Sequence, residues 1–128
     1  MKNQIITLDK VIQVCDAYCW RNEAFLRENI DFIIGVSRGG LIPAVWIATH
    51  LNIPLITAYI DKRDRVYLDR VGWIKNMTVL IVDDVRRSGK TFKKIDEMVV
   101  RSGVKDAHSF FVFEDPDNKI RFPWDIYD

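Results

Sequence analysis

The sequence lacks several features that would each assign a class of protein at once. No apolar run approaches the roughly 20 residues that a helix needs to cross a bilayer, and the opening Met-Lys-Asn-Gln-Ile-Ile is too polar for a signal peptide. The formal net charge of +1 gives no bulk attraction for nucleic acid, although it is compatible with local basic patches. We therefore expect a cytoplasmic protein without a membrane partner, for which nucleic acid is not the expected ligand.

Cysteine and histidine are also scarce, with two of each. Cys15 and Cys19 lie four residues apart in a stretch of helical periodicity and have no neighbouring metal ligands, so we predict reduced, buried thiols. His50 and His108 have no candidate catalytic partner and are predicted to be structural. The chain has no repeat, low-complexity tract or linker, which predicts one domain over residues 1–128.

Apolar periodicity divides the chain into alternating helices and strands. Thr7 is a predicted N-cap for the first helix. Residues 61–73 are charged and are predicted to form an exposed loop or hairpin, and the tail from Glu114 is predicted to be irregular. The strands are almost continuously apolar, which predicts an α/β fold with a mainly parallel sheet and helices on both faces. The predicted helices are 8–25, 41–51 and 91–101, and the predicted strands are 31–36, 53–60, 77–82 and 107–113.

Two loops, 35–40 and 83–91, follow predicted strands, at the positions where such sheets bind ligands. In the second loop, Asp83 and Asp84 follow an apolar strand and precede Ser-Gly-Lys-Thr, which opens a helix. Two carboxylates can accept hydrogen bonds from vicinal ribose hydroxyls, and the N–H groups at a helix start suit a phosphate monoester. The loop therefore predicts a site for a ribose 5-phosphate.

Two other interpretations of the acidic loop fit the sequence less well. A nucleotide-binding P-loop requires glycine five positions before Gly89, where this chain has Asp84, whose charge would repel phosphate. In response-regulator receiver domains a similar acid pair binds magnesium, but it ends the first strand and a phosphoacceptor aspartate follows far downstream. Here the pair ends the third predicted strand, and little chain remains after it.

Residues 79–91 resemble the signature by which type I phosphoribosyltransferases bind 5-phosphoribosyl-1-pyrophosphate (PRPP). The shared pattern is an apolar strand, two acids, a short loop and Thr/Ser-Gly-x-Thr. The resemblance implies that Asp83 and Asp84 face the ribose 2′- and 3′-hydroxyls and that the following residues surround the 5′-phosphate. The PRPP-binding residues implied in this way are Asp83, Asp84, Val85, Arg86, Arg87, Ser88, Gly89, Lys90 and Thr91.

The segment GVSRGGLIPA, residues 35–44, resembles the pyrophosphate loop of bacterial xanthine–guanine phosphoribosyltransferases. Its glycines let backbone N–H groups approach an anion, and its arginine can add a charge-assisted contact. The resemblance also implies a cis peptide bond between Ser37 and Arg38. The implied pyrophosphate-binding residues are Ser37, Arg38, Gly39, Gly40, Lys62 and Arg63.

The resemblance implies a type I phosphoribosyltransferase fold, with a core of about 1–113 and a C-terminal hood of about 114–128. The ending IRFPWD, residues 120–125, is similar to the FPWE or QPWD of the xanthine–guanine members. Segment 61–72 fits a mobile lid over PRPP, with an exposed charged hairpin as the alternative. The implied base-binding residues are Asp115, Ile120, Phe122 and Trp124.

The implied reaction exchanges pyrophosphate for a ring nitrogen of a nucleobase, with a xanthine-, guanine- or hypoxanthine-type purine expected. Mg²⁺ would bridge the pyrophosphate and the ribose hydroxyls, held by Asp83 and Asp84 largely through substrate or water. Asp83, Asp84 and Arg38 are the implied catalytic residues, and Lys62, Arg63 or Arg65 would help to neutralise the leaving group. The family also implies a homodimer.

Three residues depart from the pattern of the 6-oxopurine enzymes. Arg87 stands where aspartate, a candidate general base, is common, and arginine cannot accept a proton at neutral pH. Asp115 stands where a lysine meets the exocyclic oxygen of the purine, and Lys119 replaces a stacking tryptophan. The identity of the base stays open, and the alternative function is a PRPP-binding regulator or nucleic-acid-binding protein without transferase activity.

Overall fold

The computed structural model describes residues 3–125, which form three α-helices and two β-sheets. A short 3₁₀-helix, Val71–Ile74, precedes the fifth strand of the chain. In chain order the other elements are β1 (Gln4–Ile5), α1 (Leu8–Asn29), β2 (Phe32–Val36), α2 (Leu41–Leu51), β3 (Leu55–Ile60), β4 (Val66–Leu68), β5 (Thr78–Arg86), α3 (Lys90–Arg101), β6 (Asp106–Glu114) and β7 (Ile120–Arg121).

The central sheet has five strands in the order β4-β3-β2-β5-β6. All neighbours are parallel except β4, which runs antiparallel to β3 at one edge. Strands β1 and β7 form a separate two-stranded parallel sheet. The predicted α/β class with a mainly parallel sheet is therefore confirmed.

The apolar core has two halves because successive side chains of each strand point to opposite faces of the sheet. Ile33 and Leu80 pack with α1 and α2, whereas Ile34 and Ile81 pack with α3, and all four side chains are fully buried. Each such side chain stabilises the fold by about 1.5–3 kcal/mol relative to an exposed one. Helices therefore cover both faces, as predicted.

Helix α1 begins where the sequence predicts but ends later. The Thr7 side chain accepts a hydrogen bond from the Lys10 N–H at 3.1 Å, which caps the first turn. The helix continues to Asn29, beyond the predicted end near Phe25, because the buried Leu26 extends its apolar stripe.

The two thiols of α1 are free and buried, as predicted. Burial, reinforced by the neighbouring Cys19 and Asp16, raises the pKa of Cys15 to about 12. Burial also raises the pKa of Cys19 to about 11. Both groups therefore stay protonated at neutral pH.

Strand β5 is longer than predicted, and this changes where the two acids lie. It was predicted to end at residue 82, but its pairing with β6 continues through Asp83, which is opposite Phe111, to Arg86, which is opposite Glu114. Residues 83–86 carry three charges and so resemble a loop in sequence. They form a strand because β6 supplies backbone hydrogen-bond partners, which the hydropathy of the segment does not reveal. The prediction that the acids follow the strand was wrong, because they belong to its last four residues.

Segment 61–73 and the tail both contain more structure than their composition suggests. The Asp61 carboxylate accepts hydrogen bonds from the N–H groups of Arg63 and Arg65, both at 2.9 Å, and shapes the turn between β3 and β4. A hairpin is therefore present, as predicted, and it leaves the lid role untested. The tail, predicted to be irregular, contains β7, which pairs with β1. Within residues 3–125, no helix has both the length and the apolar character needed to span a bilayer.

Candidate active site

The loop after β2 packs directly against the end of β5. A Cβ atom on Gly40 would lie 2.6 Å from the Val36 carbonyl oxygen, 2.8 Å from that of Val82 and 2.9 Å from the Asp83 Cα, so only glycine fits. Gly39 likewise faces the Asp84 carboxylate, which a Cβ atom would overlap. The two loops predicted separately from the sequence are therefore in contact.

The loop after β2 also has the backbone geometry that the sequence predicted. The peptide bond between Ser37 and Arg38 is cis. The Arg38 carbonyl accepts a hydrogen bond from the Leu41 N–H at 3.0 Å, which joins the loop to the start of α2. The Arg38 residue itself is exposed, so its guanidinium is accessible to a ligand.

A cleft of about 220 Å³ opens beside the end of β5. Seven of the described residues that were predicted to bind PRPP or pyrophosphate do not line it: Lys90, Ser37, Arg38, Gly39, Gly40, Lys62 and Arg63. The cleft brings together most of the predicted sugar-phosphate loop. Its lining residues are Asp83, Asp84, Val85, Arg86, Arg87, Ser88, Gly89, Thr91, Phe92 and Phe111.

The start of α3 lies at this cleft and is not capped by the side chain of the preceding residue. The residue before the helix, Gly89, has a φ of 85° and no side chain with which to cap the first turn. The Ser88 hydroxyl lies 3.3 Å from the Lys90 N–H, a long hydrogen bond. The first N–H groups of a helix lack intrahelical partners and carry the positive end of the helix dipole, so this terminus suits a phosphate.

The two acids have different surroundings although they are neighbours in the chain. Asp83 lines the cleft and accepts a hydrogen bond from the Asp84 N–H at 2.8 Å. Asp84 is only 8% exposed, and its Oδ2 accepts a hydrogen bond from the Trp124 indole at 2.7 Å. Burial, reinforced by the adjacent Asp84, raises the pKa of Asp83 above its ordinary value. The pair therefore retains a proton more readily than two separate carboxylates would.

The acid pair also suits a hard divalent cation. Within residues 3–125, no group of three or more His, Cys, Asp or Glu side chains is arranged to hold a metal by itself. Mg²⁺ is commonly held by one or two carboxylates together with water and substrate phosphates. Asp83 and Asp84 therefore fit an ion whose remaining ligands come from the substrate.

Arg87 and Asp115, two of the departures from the family pattern, bind each other. The Arg87 Nε donates to Asp115 Oδ2 at 3.2 Å, and its Nη2 donates to the Ile120 carbonyl at 2.9 Å. Asp115 is 4% exposed and also accepts from the N–H groups of Lys119, at 2.8 Å, and Ile120, at 2.9 Å. One edge of the Arg87 guanidinium is thus occupied, while the residue still lines the cleft.

These hydrogen bonds determine the charge state of Asp115. Its burial acts to raise its pKa, but the hydrogen bonds from the N–H groups of Lys119 and Ile120 and from Arg87 outweigh burial. The pKa of Asp115 therefore lies below its ordinary value, and the carboxylate is ionised at neutral pH.

The other predicted base-binding residues lie on the tail. Ile120 is 9% exposed and Phe122 is 3% exposed, and both pack in the core with α1 and α2. Trp124 is half-buried and stacks on Phe122, with ring centroids 5.0 Å apart and an interplanar angle of 4°. A direct role in base binding stays a prediction for all four residues, including Asp115.

The predicted pyrophosphate-binding lysine and arginine lie on the β3–β4 hairpin. Lys62 and Arg63 are both exposed at its turn. The Arg65 side chain is bound to Asp61, with the Nε and Oδ2 atoms 2.7 Å apart. An ion pair between Lys94 and Asp64, at 3.2 Å, connects the turn to α3. Lid motion of this hairpin stays a prediction.

Two aromatic residues of the cleft were missed by sequence reasoning. Phe92 and Phe111 form one wall, with ring centroids 5.0 Å apart at 90°. The signal was available in the strand AHSFFVF, because two adjacent phenylalanines in a strand must point to opposite faces. Phe110 stacks on Tyr18 of α1, so Phe111 faces the α3 side.

The fold and the cleft define an α/β protein with a candidate site for a phosphorylated ligand at the carboxyl ends of parallel strands. The family model for the phosphoribosyl transferase domain matches residues 4–127. The chain belongs to this family. This result confirms the predicted family, fold and enzyme class, a pentosyltransferase.

Individual relatives fit the same family. A xanthine-guanine phosphoribosyltransferase of Idiomarina loihiensis is 30% identical, over 78% of this chain and 74% of that protein. An orotate phosphoribosyltransferase of Bartonella quintana is 26% identical, over 88% of this chain but only 58% of that protein. The crystal structure of a purine phosphoribosyltransferase from Pyrococcus horikoshii superposes with a TM-score of 0.81 at 32% identity, covering 100% of this chain and 97% of that one.

Proposed function

We propose that this protein transfers the phosphoribosyl group of PRPP to a nucleobase, with a purine as the expected base. One observation carries the proposal: the cis-containing loop after β2 contacts the end of β5, where two acids and the start of α3 share a cleft. A single small molecule can therefore reach both loops. The xanthine-guanine and purine relatives, which the chain matches over most of their length, support a purine.

Each part of the cleft has a distinct role in this proposal. The acids Asp83 and Asp84 accept hydrogen bonds from the ribose hydroxyls, and the N–H groups at the start of α3 bind the 5′-phosphate. The Ser37–Gly40 loop, with Arg38, binds the pyrophosphate and stabilises its charge as it leaves. When bound, Mg²⁺ neutralises pyrophosphate charge and polarises the bond to the anomeric carbon. The reaction then passes through a cation-like sugar, from which the protein must exclude water.

The base would lie near Arg87 and the tail. Because one edge of the guanidinium is bound to Asp115 and Ile120, its remaining N–H groups are available to a ligand. Arginine pairs well with adjacent acceptors, as it does with the O6 and N7 atoms of guanine, so this residue favours a 6-oxopurine. Arg87 cannot remove a proton, so the proton of the attacking ring nitrogen leaves to another acceptor or to water.

The hairpin residues Lys62 and Arg63 are proposed to reach the pyrophosphate when the 61–72 segment closes as a lid. They are exposed and outside the cleft in this conformation, which is consistent with an open state. The Lys94–Asp64 ion pair is half-exposed and is of the kind that contributes about 0–1 kcal/mol, so it would not prevent closure.

The decisive experiment measures pyrophosphate release from PRPP and Mg²⁺ with a panel of purine and pyrimidine bases. The proposal expects release with at least one 6-oxopurine. The variant Asp84→Asn should bind PRPP at least tenfold more weakly, while Asp117→Asn, at an exposed acid of the tail, should match the wild type. Stabilisation by PRPP without turnover of any base would contradict transfer and favour the regulatory alternative.

A homodimer in the cytoplasm is the proposed form of the protein. Exposed apolar side chains on α2, Ile42, Val45 and Trp46, support self-association because apolar patches commonly mark contact surfaces. Sedimentation analysis that finds only the monomer at micromolar concentration would contradict the dimer.

A further inference from the structure

The tail ends in a closed turn that holds Trp124 in place. The Phe122 N–H donates to Asp125 Oδ2 at 2.9 Å, and the Asp125 N–H donates to the Phe122 carbonyl at 3.0 Å. The Trp124 ring lies parallel to the buried Phe122 ring. The turn and the packing against Phe122 therefore fix the position of the indole.

The indole N–H of Trp124 points at one oxygen of a proposed PRPP-binding acid. It donates to Asp84 Oδ2 at 2.7 Å, a short hydrogen bond to a group that is only 8% exposed. A Cβ atom on Gly39 would lie 2.6 Å from the same indole nitrogen. Trp124 therefore lies where the loop after β2 meets the end of β5.

We propose that Trp124 is a positioning residue, which orients the Asp84 carboxylate for PRPP through its indole N–H, and that it is not the wall of the base site. This inference rests on the proposed function. It replaces the base-binding role that the sequence suggested for Trp124, because the polar edge of the ring is already committed to Asp84.

The physical reason is the rotational freedom of a carboxylate. Without a partner, the Asp84 side chain could rotate and present either oxygen to water or ligand, and ordering it would reduce the affinity for PRPP. Because the indole holds Oδ2, the Asp84 carboxylate is presented to a ribose hydroxyl or a magnesium-bound water in one orientation. Hydrogen bonds to charged groups are among the stronger ones in proteins, so their loss should be measurable.

The first test separates the two roles of Trp124 by substitution. Trp124→Phe keeps an aromatic ring next to Phe122 but removes the N–H donor, and Trp20→Phe, at an exposed tryptophan of α1, is the matched control. We expect Trp124→Phe to weaken Mg²⁺–PRPP binding about tenfold, while the KM for the base changes less than about twofold. Unchanged PRPP binding with a raised base KM would overturn the inference and restore the base-wall role.

The second test asks whether Trp124 acts through Asp84. In an Asp84→Ala background the acceptor is gone, so adding Trp124→Phe should not weaken PRPP binding further. Additive losses in the double variant would show that the tryptophan acts on PRPP by another route, which would overturn the inference. Circular dichroism of all variants checks that the fold is retained.

A third measurement needs no ligand and separates this inference from the proposed function. In the ligand-free protein, the NMR signal of the Trp124 indole N–H should be protected from exchange with water, and Asp84→Ala should remove that protection. A wild-type protein that binds no PRPP would overturn the proposed function even if the indole is protected. Normal PRPP binding by the wild type with an unprotected indole would overturn the positioning role alone.

Discussion

The helices begin in two different ways, and the two without a side-chain cap begin beside the end of β5. Helix α1, whose start does not line the cleft, is capped by the Thr7 side chain. Helices α2 and α3 follow Gly40 and Gly89, and neither has a side-chain cap. Ordinary capping residues are disfavoured at both positions, because a Cβ atom on Gly40 would collide with backbone atoms and Gly89 has a positive φ.

The uncapped starts of α2 and α3 indicate that the site is built from polar groups that a ligand can bind. The same holds for the acids, since Asp83 and Asp84 lie side by side where their charges repel. A ligand that supplies phosphate and magnesium would satisfy both the helix starts and the carboxylates. Substitutions near the cleft should therefore change binding, whereas those at the start of α1 should change stability alone.

The largest effect is expected at Gly40. In Gly40→Ala the new methyl group would meet backbone atoms of β2 and β5 at 2.6–2.9 Å, so the two loops must separate. We expect PRPP binding to weaken by about 100-fold or more, and the free energy of unfolding to fall by about 1–3 kcal/mol. Gly72→Ala is the matched control for stability, because a Cβ atom there meets nothing within 4 Å. Calorimetric titration compares PRPP binding by Gly40→Ala and the wild type, and equal affinities would contradict the close packing of the two loops.

Adding a side chain at Gly89, before the start of α3, should have the next largest effect on PRPP binding. Asn and Asp both tolerate the positive φ of Gly89 and can both cap the helix, but only Asp adds a negative charge. We expect Gly89→Asp to weaken PRPP binding about 10- to 100-fold and Gly89→Asn to weaken it only a few-fold. Similar affinities for the two variants, measured by titration at low and high salt, would place the 5′-phosphate elsewhere.

Replacing the ionisable carboxyl group of Asp83 should stabilise the ligand-free protein. The pKa of Asp83 is higher in the folded than in the unfolded chain, so the folded state binds the proton more tightly. The free energy of unfolding of the wild type therefore falls as the pH rises above the ordinary carboxyl value of 3.8 towards the folded-state pKa.

The variant Asp83→Asn lacks this titration and keeps an acceptor for the Asp84 N–H. We expect it to be more stable than the wild type by roughly 1–3 kcal/mol near neutral pH, with a smaller gain at about pH 5. Its affinity for PRPP should fall at least tenfold. Denaturant unfolding at several pH values measures the first effect, and a stability difference independent of pH would contradict the raised pKa.

The smallest effect is expected at the capped helix. Thr7→Ala removes the acceptor for the Lys10 N–H and should lower the free energy of unfolding by about 1 kcal/mol, whereas Thr7→Ser should retain most of it. PRPP affinity should be unchanged in both. An affinity loss in Thr7→Ala would show that the start of α1 also serves the site and would remove the contrast between the helices.

Local signals in the sequence predicted much of this fold. The Thr7 cap and the bounds of α2 agree with the structure. These features depend on residues close in the chain, such as a cap three residues from its donor. The cis bond before Arg38, which the family resemblance implied, is also present. The prediction that a ligand binds at the carboxyl ends of the strands followed from the parallel sheet alone.

The errors arose where distant residues determine the structure. The extension of β5 through Arg86 depends on pairing with β6, and the tail gains order by pairing β7 with β1. The ion pair between Arg87 and Asp115 joins residues 28 positions apart. In the sequence, Arg87 and Asp115 are two separate departures from the family pattern. Their contact in the structure shows that they form one ion pair.

The parallel pair of β1 and β7 links the beginning of the described chain to its end. The Gln4 N–H donates to the Lys119 carbonyl and the Ile6 N–H donates to the Arg121 carbonyl, both at 2.8 Å. Trp124 follows β7 by only three residues and contacts Asp84. An affinity tag or a deletion near Gln4 would therefore disturb the pairing of β1 with β7. Through β7 it would also disturb the contact between Trp124 and the Asp84 carboxylate in the cleft.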